Sequence, residues 1–261
     1  MELMLIRHGE LPEEMRGCYV GHSPTPLSGT GRNQCRALAP RFREFSPELI
    51  CVSPLPRALE SVRLIAGEEA PLQPDARLCE IDFGNWDGLR FDQINRRDPE
   101  LARRWLSNPE ELVFPGGESV AAFRARVSAW LAEIMRRPEQ RIAAVTHGGV
   151  LMHLIGEILH IPLPERWRIQ PARGSLTRIQ PDGRLLEFGT VLYREGEPAG
   201  RFRSSRKRLR AAIRPPPGSP PFAPEKNSTV TNCSTTAWKP GTSAVSASST
   251  SSSAPEGSCG F

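Results

Sequence analysis

Apolar positions along the chain fall into short unbroken runs separated by longer amphipathic stretches. Leu3-Met4-Leu5-Ile6 has no polar alternation, which predicts a strand buried on both faces, as in a parallel sheet. Leu49-Ile50-Cys51-Val52 and Ile142-Ala143-Ala144-Val145 read the same way, and Leu72 to Leu78 predicts a further strand between them. Between the runs the period changes to that of a helix. Ser28 is a candidate cap for a helix that carries Leu38, Phe42 and Phe45 along one side. Pro56 suits a first helical turn, followed by Leu59, Val62, Leu64 and Ile65. Residues 91–107 show helical spacing through Ile94, Leu101, Trp105 and Leu106, and Ser119 to Arg137 predicts a long amphipathic helix. A helix is expected from Val150 to about Leu159. Leu176 to Ile179 and Leu185 to Phe188 then predict two closing strands around the turn Pro181-Asp182-Gly183.

Strands alternating with helices imply an α/β fold, a three-layer α/β/α sandwich with a mostly parallel central sheet. The pattern ends near residue 200, which predicts a folded domain over 1–199 and a disordered tail over 200–261. That tail is basic from Arg201 to Arg214, then rich in Pro, Ser and Thr. Charge follows the same division. Residues 201–261 hold nine Lys/Arg against two Glu, whereas residues 1–200 hold 25 Arg and no lysine against 27 Asp/Glu. A nucleic-acid or anionic-membrane partner would therefore concern the tail alone, and a shifted reading frame would also account for its change of usage. The six cysteines form no C-x-x-C pair and fit a reducing cytosol. No apolar run reaches the ~20 residues of a membrane span, and the first residues lack a signal-peptide pattern. A soluble, cytoplasmic protein is expected.

Three segments repeat one arrangement: an apolar run, a charged donor, then a turn into a helix. They deliver Arg7-His8, Arg57 and His147. In open α/β sheets ligands sit beyond the carboxyl ends of the strands, so these groups predict a cationic cup. Helix N-termini there add N–H donors suited to a phosphate. Nothing shows metal-ligand spacing, so no metal or cofactor is expected. A bare Arg-His-Gly triplet is better explained by a solvated strand end; the same arrangement at Arg57 and His147 favours chemistry. His153 and His160 read as structural, and Phe83 and Trp86 as core.

Arg7-His8-Gly9-Glu10 resembles the signature of the histidine phosphatase superfamily, the phosphoglycerate-mutase-like fold. Ser53-Pro54 with Arg57, Leu78 to Gly84 followed by Trp86-Asp87-Gly88, and Thr146-His147-Gly148-Gly149 agree with it in order, over about residues 2–195. The loop from Gly17 to Ser28 is similar in particular to alpha-ribazole phosphatases. The resemblance implies a metal-independent phosphomonoesterase in which His8 attacks phosphorus and carries the phosphoryl group. Arg7, Arg57 and His147 would bind the equatorial oxygens, with Gly148, Gly21 and His22 in the substrate site. Glu80 would protonate the leaving alkoxide and then activate water; a carboxyl beside a dianionic phosphate holds its proton, which suits that start. Asp82 is the alternative acid, and His22 either lines the pocket or caps a turn.

The implied substrate is a small phosphoester, with alpha-ribazole 5′-phosphate of cobalamin biosynthesis as the leading candidate. The alternatives are a broad sugar-phosphate phosphatase and a silent phospho-ligand-binding member. A mutase is disfavoured because the segment between Glu80 and His147 is short and has no lysine. Three positions depart from the family pattern: Leu11 where Thr is common, Glu14 where Asn is common, and Asp87 in place of Glu.

Overall fold

The computed structural model describes residues 1–193, and the tail expected over 200–261 lies outside the described residues. Six strands form one mixed sheet: β1 (Glu2–Arg7), β2 (Leu49–Val52), β3 (Gln73–Pro74), β4 (Arg141–Thr146), β5 (Ser175–Ile179) and β6 (Leu185–Val191). Their order is β3-β2-β4-β1-β5-β6. The first four run parallel, and β5 and β6 close one edge antiparallel.

The unbroken apolar runs are explained by the layers. Leu3, Leu5, Cys51, Ile142 and Ala144 pack into one core with α5 (Val120–Ile134) and α6 (Gly148–Ile158). Met4, Ile6, Ile50, Val52, Ala143 and Val145 pack into another with α1 (Gly29–Phe45) and α2 (Pro56–Ala66). Successive residues of each strand therefore enter opposite cores, so every position is apolar and the period-2 signal vanishes. The helix starts match their signals. Ser28 Oγ accepts the Gly31 N–H, Ser119 Oγ accepts the Ala122 N–H, and Pro56 opens α2.

Three expectations need correction. The strand predicted over Leu72 to Leu78 is only two residues long. Pro74 cannot donate to the sheet ladder, and Asp75 caps a 3₁₀ turn over Ala76–Leu78 by accepting the Arg77 N–H. The helical stretch over 91–107 is two helices, α3 (Phe91–Arg97) and α4 (Pro99–Ser107), broken where Asp98 precedes Pro99. The helix expected to reach Arg137 ends at Ile134.

The excursion from Phe83 to Phe114 folds around aromatic rings. Phe114 stands edge-on to Phe83, Trp86 and Trp105, with centroids 5.0, 5.4 and 5.2 Å away. Both buried indoles find acceptors: Trp105 Nε1 donates to Tyr19 Oη at 3.1 Å and Trp86 Nε1 to Asp98 at 2.8 Å. A short helix α7 (Leu163–Arg166) leads back toward β5. Because Phe114 is 1% exposed and touches three rings, Phe114→Ala is expected to lower stability by about 3–5 kcal/mol. Urea unfolding measures this, and a loss below about 1 kcal/mol would remove the cluster as the organiser of this region.

Candidate active site

Adjacent parallel strands place the site. β2, β4 and β1 lie side by side and end at the same level, with Val52 and Ile6 both paired to Val145. The ladder continues one residue further, as the His8 N–H donates to Thr146 O and the Ser53 N–H to Val145 O, each at 3.0 Å. The chain then leaves each strand with Arg7-His8, Ser53 or His147 at its tip. The two imidazoles face one another with ring centroids 5.2 Å apart and planes inclined by 56°.

His8 Nδ1 lies 2.7 Å from Gly9 O, so Nδ1 carries the ring proton and Nε2 the lone pair. Burial foremost, then the charges of Arg57, Arg7 and Arg173, hold His8 well below the usual histidine range. Burial, then Arg57, His8, Arg7 and Arg126, do the same to His147. Both rings are therefore neutral near pH 7. His147 Nε2 lies 2.7 Å from Ser53 Oγ. Ser53 can donate there, which leaves the ring proton on Nδ1, a buried atom with no acceptor. His8 itself is fixed by a close approach of backbones: a Cβ on Gly9 would stand 2.4 Å from Gly31 O.

The guanidinium groups are bound from behind. Arg7 donates to Pro171 O at 2.6 Å. It lies across Gly148, where an added Cβ would come within 2.9 Å of it. Arg57, in the first turn of α2, is fully buried. It donates to Gly21 O at 2.6 Å, Ser23 O at 3.2 Å and Val20 O at 3.3 Å. The Nε atoms of both arginines are buried without an acceptor. Two guanidinium N–H groups and one imidazole nitrogen therefore remain unsatisfied around His8, buried donors of the kind that an oxyanion is able to satisfy.

Glu80 is buried at the edge of this cup, its carboxylate accepting the Ile81 and Gly149 N–H groups, each at 3.1 Å. Asp82, the alternative acid, is engaged in a turn through the Gly84 N–H at 2.9 Å. His22 sits half-exposed at the rim. Its Nε2 lies 3.0 Å from Glu80 O and its Nδ1 4.0 Å from Asp82. Gly21 does structural work: its N–H goes to Asp87, its carbonyl to Arg57, and a Cβ would meet Ile81 O at 2.6 Å.

Leu11 is buried in the α1–α2 core, and Glu14 points to solvent on a 3₁₀ turn, so Glu14 brings no charge into the cup. His153 is structural: burial, then Arg166, hold it down to about 4, and its Nδ1 accepts from Arg166 at 3.1 Å. Among the described residues no cluster of three or more His, Cys, Asp or Glu could hold a metal ion, and no helix is long and apolar enough to cross a membrane. Nothing in the motifs points to Arg173, Arg126 or the Pro171 carbonyl. They come from segments without strand-end motifs, and only their position brings them to the site.

The sequence profile of the histidine phosphatase superfamily (branch 1) matches residues 3–191. The adenosylcobalamin/alpha-ribazole phosphatase of Escherichia coli (strain K12) is 32% identical over 181 residues, 69% of this chain and 89% of that protein. Phosphoserine phosphatase 1 of Hydrogenobacter thermophilus is 30% identical over 169 residues, 64% of this chain and 80% of that protein. Among solved structures, the alpha-ribazole phosphatase of Shigella flexneri superposes with a TM-score of 0.65 at 31% identity, over 69% of this chain and 90% of its own.

His8, His147 and His153 resist protonation when folded but accept protons in the unfolded chain below the ordinary value of 6.5. The unfolded state then binds more protons, so stability falls as pH drops below about 6.5. Urea midpoints are expected to decline from pH 7 to pH 5, and less steeply in His8→Asn. An equal slope in the variant would mean His8 does not contribute.

Proposed function

Since the chain belongs to the histidine phosphatase superfamily, we propose that it is a phosphomonoesterase working through a phosphohistidine on His8. One observation carries the reading. A neutral His8, with its Nε2 lone pair free, stands 5.2 Å from His147 among guanidinium N–H groups that have no acceptor. A dianionic phosphoryl group is suited to those donors and presents phosphorus to that lone pair.

In the first step the His8 Nε2–P bond forms as the P–O bond to the leaving alkoxide breaks. The Glu80 carboxyl proton goes to the alkoxide oxygen, which leaves as an alcohol. Gly9 O, already accepting the Nδ1 proton, stabilises the positive charge that the phosphorylated ring acquires. Arg7, Arg57 and His147 bind the equatorial oxygens, where charge spreads in a loose transition state. In the second step water attacks phosphorus, its proton returns to the Glu80 carboxylate, the N–P bond breaks and inorganic phosphate departs. The cationic charge comes from side chains, so the reaction proceeds without a metal.

Alpha-ribazole 5′-phosphate is the leading substrate, supported by the alpha-ribazole phosphatases among the relatives. Cobalamin biosynthesis is then the pathway served. Phosphoserine is the second candidate, on the strength of the phosphoserine phosphatase relative. Initial rates on both compounds, with a sugar phosphate as the general case, separate the readings: the highest kcat/KM is expected for alpha-ribazole 5′-phosphate. His8→Ala is expected to lower kcat by at least about three orders of magnitude while inorganic phosphate still binds, and wild-type turnover is expected to persist with chelator present. Phosphate binding by a wild type without turnover would instead make this a silent phospho-ligand-binding member.

A further inference from the structure

Glu80 does not stand on a strand. Beyond the two residues of β3 the chain runs through a 3₁₀ turn and then irregular backbone, so no neighbouring strand satisfies the carbonyls of residues 77–80. Buried carbonyls need partners, and side chains supply all four. Thr146 Oγ1 donates to Leu78 O at 2.6 Å. The others belong largely to one residue of α5. Arg126 NH1 donates to Arg77 O at 2.9 Å and to Cys79 O at 2.7 Å, and its NH2 donates to Glu80 O at 3.0 Å.

The rest of that guanidinium faces Glu118. NH2 donates to Glu118 Oε1 at 2.6 Å and Nε donates to Oε2 at 3.1 Å, a two-point pair. Glu118 Oε1 also accepts the Asp82 N–H at 2.9 Å. The pair thus grips the chain on both sides of residue 80 and uses all five guanidinium donors to do so. Phe123 lies against the guanidinium, with its ring centroid 4.8 Å from the central carbon, and limits its freedom to swing away.

We propose that Arg126, oriented by Glu118, is the positioning residue for the Glu80 carboxyl. The inference rests on the reading of Glu80 as the acid. Arg126 touches neither phosphate nor His8 in this scheme. Its removal therefore misplaces the proton donor and leaves the phosphate-binding donors where they are. Up to the phosphorylation of His8, the part of the reaction that kcat/KM reports, the loss falls on leaving-group protonation, a signature that general destabilisation does not produce. A misplacement of about 1 Å costs up to about 100-fold in rate, and a poor leaving group feels all of it, whereas a good one departs unprotonated.

The test compares kcat/KM for 4-nitrophenyl phosphate with that for 4-methylphenyl phosphate, substrates of similar shape whose leaving groups differ in basicity. In Arg126→Met the preference for the nitrophenyl ester is expected to rise about tenfold over wild type, in Glu118→Gln by a smaller factor, and in Glu80→Gln by at least as much as in Arg126→Met. The ratio does not depend on the fraction of active protein, so a partly folded variant still reports. If Arg126→Met yields no folded protein, Arg126→Lys serves, since its ammonium cannot reproduce the five-donor fork. A rise in Glu80→Gln with an unchanged ratio in the Arg126 variant overturns the positioning role alone. An unchanged ratio in Glu80→Gln overturns the assignment of Glu80 as acid, and the inference with it.

Discussion

Positive charge held beside two uncharged imidazoles, with water nearly excluded, is the constraint that the rest of the molecule answers. A buried guanidinium is tolerated only where oxygen acceptors surround it. Arg57 finds them in the carbonyls of Val20, Gly21 and Ser23, and Arg7 in that of Pro171. Asp87 fixes the opposite side of the same loop, accepting the Gly21 and Ser23 N–H groups at 3.1 and 2.9 Å. The loop is thereby held between a cation and an anion. Glu80 and Asp87 also offset the charge of Arg57 at longer range. What remains without an acceptor after these contacts is the Nε of each arginine and Nδ1 of His147.

This explains why so much of the structure away from the strand tips bears on the site. The rings around Phe114 support the excursion that carries Asp87 and leads into Glu118. The segment after α7 brings the Pro171 carbonyl to Arg7 and the Gly174 N–H to His8 O at 2.9 Å. The sheet supplies a fixed origin for His8, Ser53 and His147. Glu80 instead stands on irregular backbone, and irregular backbone is fixed only by what binds its carbonyls.

The departures at residues 11, 14 and 87 acquire physical meaning in the same frame. Leu11 exchanges a polar side chain for burial in the α1–α2 core. Glu14 faces solvent, where a charge is screened. Asp87, one methylene shorter than Glu, still engages two backbone donors, one through each oxygen.

Much of the architecture was legible because its causes are local. Runs such as Leu3 to Ile6 mark strands buried on both faces, Ser28 and Ser119 cap helices within three residues, and a donor after an apolar run marks a strand tip. The strand expected over Leu72 to Leu78 shrinks to two residues because Pro74 and Asp75 break it, and the helical spacing over 91–107 divides into two helices at Asp98-Pro99. The sequence by itself determined the layers, the helix starts and which residues stand at the ends of β1, β2 and β4. Only the tertiary structure decided that Arg57 grips the loop at 20–23, that Ser53 meets His147, and that Arg126 and Glu118 embrace the backbone around Glu80. The reason is that a guanidinium or hydroxyl takes whichever acceptor folding leaves unpaired, and that acceptor can lie tens of residues away, where no periodicity or spacing reaches.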